Sequence, residues 1–278
     1  IPLPLFTPLL TPLSRPGLMA LLLALLWAAP GLTKPPAKAG PKPLPAAYTA
    51  KVVEVIDGDT LVTDTAETIR LVNINAPEIF HDGRPPQPGA LAAKTALREL
   101  VLGQTIKVQP GPQKRDKYKR TLAWVYQGND LVQAKLLRAG LVHVYSFPEN
   151  ALNLGPLVAA EAQARQQRLG LWALPRWQVR AATAEFDPAW VGQFHLVTGQ
   201  VRQVTARKEV VYLNFGDDWR TDFSVEIRDD DWPYFQAAGV DPKTFYRGKT
   251  VLVRGVLKPV NGTLVTASHP GQLMVVGR

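Results

Sequence analysis

The segment Lys51-Val52-Val53-Glu54-Val55-Ile56-Asp57-Gly58-Asp59-Thr60-Leu61-Val62-Thr63-Asp64, followed after Thr65-Ala66-Glu67 by Thr68-Ile69-Arg70-Leu71-Val72-Asn73-Ile74, carries the clearest structural signal in the chain. Its three runs are short, apolar or alternating, and rich in β-branched residues. Gly58 and the 65–67 segment separate them as turns, which predicts a meander of strands. Moving outward, residues 83–89 form a proline-rich loop, and Ala90 to Leu102 carries leucine and alanine at helical spacing. Gln104 to Gln109 and Arg120 to Tyr126 read as further strands, and Leu131 to Ala139 and Leu157 to Arg168 as further helices. Gly103, Gly140 and Gly170 follow the helices, where a left-handed residue closes a last turn. The class is mainly β with helices (α+β).

Around these strands the chain groups the charges that phosphodiester chemistry requires. Asp57 and Asp59 precede a lone strand arginine, Arg70; Asn75-Ala76-Pro77-Glu78 follows it; and Asp116-Lys117-Tyr118-Lys119-Arg120 lies in a basic loop. Hard oxygen donors suit a hard cation, a carboxylate accepts the proton of an attacking water, and fixed cations stabilise a pentacoordinate phosphate. Asp59, Glu78, Arg70 and Arg120 would supply those functions. Each also has an ordinary reading. Asp57-Gly58-Asp59 is a turn signal, Arg70 a solvated strand residue, Glu78 a turn cap or a lysine's surface partner, and the basic residues of 114–120 a solvated loop. It is their joint order that favours a site.

That order resembles the staphylococcal nuclease (thermonuclease) family from about Ala47 to Trp172. The resemblance implies an OB-type five-stranded barrel with three helices, and Ca2+-dependent hydrolysis of DNA or RNA backbones leaving 3′-phosphates. It places Asp59 on the family's metal-binding aspartate, Asn75 on its second metal carboxylate, and Ala76 where a backbone carbonyl ligates the metal. Arg70 and Arg120 fall on its phosphate-binding arginines and Glu78 on its proposed general base. Lys117 and Tyr118 match positions near the terminal phosphate. Across a small gap, Tyr145 and Phe147 lie close to the aromatic positions flanking the nucleotide.

Asn75 departs from the family pattern. An amide oxygen still ligates Ca2+, but one negative charge beside the cation is lost, so a weakened metal affinity is expected. The expected function is a metal-dependent endonuclease acting on DNA or RNA. The alternative is a non-catalytic nucleic-acid-binding protein with a degraded metal site, and a third reading is a protein-docking module. No stable protein partner is implied.

Composition narrows the setting. The chain has 278 residues, 46% hydrophobic, enough to bury a core and long enough for about two domains. Its net charge of +9 suits a polyanionic partner, and residues 1–46, 47–177 and 178–278 carry +4, +4 and +1, so the excess lies in and before the nuclease-like region, 47–177. The absence of cysteine fits either redox compartment. Residues 1–39 read as a signal peptide or N-terminal hydrophobic segment, with Arg15, the apolar run Leu18 to Ala29, and Ala37-Lys38-Ala39 before Gly40. A start at Met19 would leave Arg15 out and weaken that reading. The run is short for a membrane span. The expected location is exported, periplasmic or secreted, with membrane attachment only through an uncleaved N-terminal segment. Residues 40–46 read as a proline-rich linker.

Residues 190–278 have their own strand rhythm. His195–Val204, Val210–Phe215, Asp222–Arg228, Thr250–Leu257 and Thr263–Thr266, with a short helix over Trp232–Gly239, predict a second, smaller OB-like β-barrel. The segment also resembles the C-terminal extension of some bacterial thermonuclease homologues. Tyr212, Phe215, Trp219 and Arg220 are candidates for a base-stacking platform, against which the acidic Asp217, Asp218, Asp229, Asp230 and Asp231 argue. The acidic pair beside Trp219 reads as a solvated turn, a metal site or a protein contact, and Trp172 as a core plug or a stacking surface. The four histidines lack metal-ligand spacing.

Overall fold

Strands β1 (Tyr48–Val55), β2 (Thr60–Thr63) and β3 (Thr68–Leu71) form the expected meander. In β1 the side chains of Ala50 and Val52 face inward, then a bulge at Val53 shifts the register so that Val55, not Glu54, is buried. After β4 (Ile74–Asn75) and helix α1 (Ala90–Val101), β5 (Thr105–Arg115) pairs antiparallel with β1. Strand β6 (Thr121–Gln127) pairs antiparallel with β5 and parallel with β3, through Ile69↔Thr121 and Leu71↔Ala123, which closes a five-stranded barrel. The short β7 (Asp130–Leu131), α2 (Val132–Arg138), β8 (His143–Val144) and α3 (Leu154–Gln166) complete it. Val52, Leu61, Ile69, Leu71, Ile106 and Val125 are fully buried in the core, with Leu97 of α1 and Leu137 of α2 over them.

The structure, a computed structural model, describes residues 43–80 and 84–277. The signal-like segment and residues 40–42 of the linker lie outside the described residues. Among those described, no helix is long and apolar enough to cross a membrane.

Several boundaries differ from expectation: the run Thr68–Ile74 divides into β3 and β4 at Asn73, left-handed at φ +64°, and the run His195–Val204 divides after Gln200, while three further differences have a clear physical reason. Strand β5 continues beyond Gln109 because Pro110, which lacks an N–H, sits where the β5–β6 register breaks, and the chain runs on as an arm to Arg115↔Thr121. Helix α3 starts before Leu157 because Pro156 occupies its first turn, where an N–H has no intrahelical partner. The same helix ends at Gln166, two residues before the expected Arg168, which is itself left-handed at φ +54°.

The second barrel has the element order of the first, in two four-stranded sheets rather than one closed sheet. It comprises β9 (Arg180–Ala181), β10 (Phe194–Gln200), β11 (Gln203–Ala206), β12 (Val210–Asn214), β13 (Phe223–Arg228), α4 (Trp232–Ala237), β14 (Thr250–Val256), β15 (Thr263–Thr266) and β16 (Leu273–Val275). A meander runs through β11, β12 and β13, β14 lies antiparallel to β10, and β13 runs parallel to β15, with α4 before β14 as α1 lies before β5. Phe215 is buried against Phe223 at a ring distance of 5.1 Å and is therefore core, not platform. Asp218 and Asp222 close a surface turn through Asp218 N–Asp222 Oδ2, and Asp217 pairs with Arg202. A third apolar cluster joins the barrels: Ala164, Leu171, Trp172 and Trp177 pack with Leu196 and Leu252.

Candidate nucleic-acid cleft

Arg70 sits mid-sheet, opposite Thr60 on β2 and Leu122 on β6. Its Nη2 lies 2.9 Å from Asp59 Oδ2 and 2.7 Å from Asn75 Oδ1, while Nη1 donates to the carbonyls of Leu71 and Ile74. The turn 57–59 reaches this point because residue 58 has no side chain: a Cβ on Gly58 would lie 2.6 Å from the Cβ atoms of both Ala76 and Ala93. Asp59, 5% exposed, accepts the Ala76 N–H at 2.7 Å and the Thr60 hydroxyl at 3.1 Å.

Burial drives the Asp59 carboxyl up to about 7; Arg70 pulls it back and Asp57 adds to the rise. A carboxylate this costly to ionise, with a guanidinium already in contact, accommodates further positive charge. The neighbouring donors, Asn75 Oδ1 and the Ala76 carbonyl, are hard oxygens, so the set suits a hard divalent cation in donor type. Its charge count is low. Among the described residues no three His, Cys, Asp or Glu converge.

A cavity of about 460 Å³ opens over Arg70 and Asn75 and is also lined by Lys117, Tyr118, Arg120, Tyr145 and Phe147. Seven of the sequence-derived candidates thus share one space. Asp59 and Ala76 lie beneath it, joined through Arg70 and Asn75. Glu78 is exposed and does not line the cavity; its backbone is tied to Gln87 by two hydrogen bonds, Glu78 N–Gln87 Oε1 and Gln87 N–Glu78 O.

Arg120 is aimed by Asp116. The carboxylate accepts Arg120 Nε at 2.8 Å, and also the backbone N–H groups of Arg120 and Tyr118, which folds the basic loop around one side chain. Partial burial works against its ionisation, but the bonds from Arg120 hold the Asp116 carboxyl below the usual range. Tyr118 is 67% exposed, with Lys117 4.9 Å and Arg120 5.4 Å from its ring. Tyr145 and Phe147 meet edge to face at 5.2 Å.

The sequence assigns no role to Asp116, despite its four-residue spacing to Arg120, and none to Asn150, whose amide clamps Gln113 at the cavity edge through two hydrogen bonds. A signal for the second exists only in Gly111, where a Cβ would lie 2.5 Å from Asn150 Oδ1.

Residues 68–174 match the model of the staphylococcal nuclease homologue family. The thermonuclease of Staphylococcus intermedius is 31% identical over 124 residues, 44% of this chain and 74% of that protein. The thermonuclease of Staphylococcus hyicus is 28% identical, over 45% of this chain and 76% of that protein. A probable endonuclease LCL3 of Colletotrichum graminicola is 38% identical over 111 residues, 37% of this chain and 40% of that protein. With the barrel topology and this extent of similarity, the chain belongs to the staphylococcal nuclease homologue family.

Proposed function

We propose that the protein is an endonuclease that hydrolyses phosphodiester bonds of DNA or RNA with Ca2+ bound. The observation that carries this reading is the single cavity in which Arg70, Arg120 and Asn75 face the same space as Tyr145 and Phe147. Cations for a phosphate and rings for a base occupy one site. Asp59, Asn75 and Ala76 would hold the cation, which when bound would act as a Lewis acid on the phosphate and acidify a water.

Arg70 and Arg120 offset charge on the non-bridging oxygens as the phosphorus becomes pentacoordinate. Asp116 holds Arg120 in the orientation this needs. Glu78, exposed and outside the cavity lining, takes the base role only if its side chain turns toward the Asn75-Ala76 segment to accept the proton of the attacking water. The 5′-oxygen then leaves and a 3′-phosphate remains. Lys117, Tyr118, Tyr145 and Phe147 position the flanking phosphate and base.

Asn75 and the contact of Arg70 with Asp59 favour a second reading, binding without cleavage, because both reduce the negative charge offered to a metal. Incubation with heat-denatured DNA and with RNA, in Ca2+ or chelator, separates the two. Fragments bearing 3′-phosphates in Ca2+ alone support the nuclease. Salt-sensitive retention without product in both conditions supports the binder.

A further inference from the structure

We propose that the C-terminal barrel braces the cleft, with Arg254 as a positioning residue that sets the aromatic wall formed by Tyr145 and Phe147. Arg254 on β14 and Glu161 on α3 are 1% and 0% exposed. Nη2 meets Glu161 Oε2 at 2.9 Å, and Nη1 meets Oε1 at 3.2 Å. Between them the pair also takes both backbone groups of Val144: its N–H donates to Glu161 Oε1 at 2.7 Å and its carbonyl accepts Arg254 Nη1 at 3.2 Å. Burial opposes ionisation of Glu161, yet Arg254 and the Val144 N–H hold its carboxyl below the ordinary value.

The contacts alternate along the segment. Val144 is held by the ion pair, and Ser146 Oγ lies 2.9 Å from His269 Nε2 of the second barrel. Tyr145 and Phe147, the residues between and after, line the cavity. The Val144 carbonyl and the Ser146 hydroxyl are thus tied to the C-terminal barrel while the Tyr145 and Phe147 rings line the cavity, Tyr145 also meeting Phe194 of that barrel edge to face at 5.7 Å. The His143 ring stacks on Phe194 at 4.1 Å, continuing the attachment. On its other edge the segment pairs with β4 through Ile74↔Val144, and Ile74 O accepts Arg70 Nη1, so the same segment borders the phosphate side of the cleft.

A buried ion pair adds little net stability relative to an apolar pair of equal volume; what it adds here is a fixed fork geometry on one peptide unit. The kinetic part of the test rests on the proposed nuclease function, and the structural part does not. In the double variant Arg254→Met/Glu161→Met, amide exchange over residues 141–152 is expected to accelerate about tenfold or more, while β5 and β6 keep their protection. KM for a single-stranded oligonucleotide is expected to rise about tenfold with kcat within about threefold. Ser146→Ala leaves the ion pair intact, and a smaller change of the same sign is expected; if the double variant does not fold, this single variant decides. Wild-type exchange over 141–152 in a folded variant overturns the brace, and so does acceleration spread equally over the barrel. Absence of cleavage by the unmodified protein would reject the nuclease reading alone, and exchange would then decide the brace.

Discussion

Arg70 and Asp59 form a 2.9 Å ion pair in which both side chains are largely withdrawn from solvent, at 13% and 7% exposure. Arg120 and Asp116 form a 2.8 Å pair that is more open, at 29% and 17%. The two arginines therefore separate stability from catalysis. Arg70→Ala strands a buried carboxylate and is expected to cost about 3 kcal/mol of stability as well as turnover. Arg120→Ala is expected to cost less than about 1 kcal/mol of stability. Each is expected to lower kcat by about 100–1000-fold. Denaturant unfolding and initial rates on denatured DNA measure both; a fully active Arg120→Ala would remove it from the mechanism.

Asn75→Asp is the second prediction. Asn75 Oδ1 accepts from Arg70, a bond a carboxylate keeps, while Asn75 Nδ2 donates to the Ala76 carbonyl, a bond a carboxylate loses. The substitution adds a negative charge and frees a carbonyl lone pair at the same point. Half-saturation by Ca2+ is expected to fall about tenfold, since ligand charge count sets calcium affinity. Titration calorimetry and calcium-dependent rates report it independently, and an unchanged midpoint would show that charge does not limit binding there.

Local chemistry made the cleft candidates readable in the chain. Asp57-Gly58-Asp59 and Arg70 to Glu78 are short motifs whose spacing is preserved by a rigid meander, so their proximity follows from strand pairing. Both barrels were legible for the same reason, as alternating runs between turns. Arg254 and Glu161 were not, because they are 93 positions apart and neither carries a local mark of its partner. Phe215 misled because an aromatic at a strand end beside glycine and aspartate reads as surface, while its burial depends on Phe223 from the next strand.

The third prediction concerns acid. Burial lowers His143, His195 and His269 each to about 4, with Arg176 and Arg180 adding to the fall at His195. From pH 6.5 down to 4 the unfolded chain binds protons that these folded histidines refuse, so their stability contribution is intact above pH 6.5 and lost on acidification. Asp59, raised from 3.8 to about 7, acts with the opposite sign, binding a proton in the folded state first. Three groups oppose one. The urea midpoint is expected to fall between pH 7.5 and pH 5, to fall less in His143→Gln, and to fall more steeply in Asp59→Asn. A midpoint that rises on acidification would contradict the assignment.

The crossing of Gly140 and Gly170 supplies the last prediction. Gly140 has φ +69° and Gly170 φ +51°, a region where a Cβ is strained by its own backbone. The chains also touch: Leu171 N donates to Gly140 O at 2.8 Å, a Cβ on Gly140 would sit 2.3 Å from Leu169 O, and one on Gly170 2.4 Å from Gly140 O. Both obstacles are backbone atoms, which cannot swing aside as a side chain can. Gly103 is the control, because its φ is +74° yet nothing lies within 4 Å of a Cβ there. Gly103→Ala therefore measures the dihedral cost alone, about 1–2 kcal/mol, and Gly140→Ala is expected to exceed it by about 1–3 kcal/mol through the clash. The turn at Gly140 leads directly into β8, so its displacement is also expected to speed amide exchange over 141–152. Equal unfolding midpoints for the two variants would show that the crossing relaxes freely and that the glycines serve φ alone.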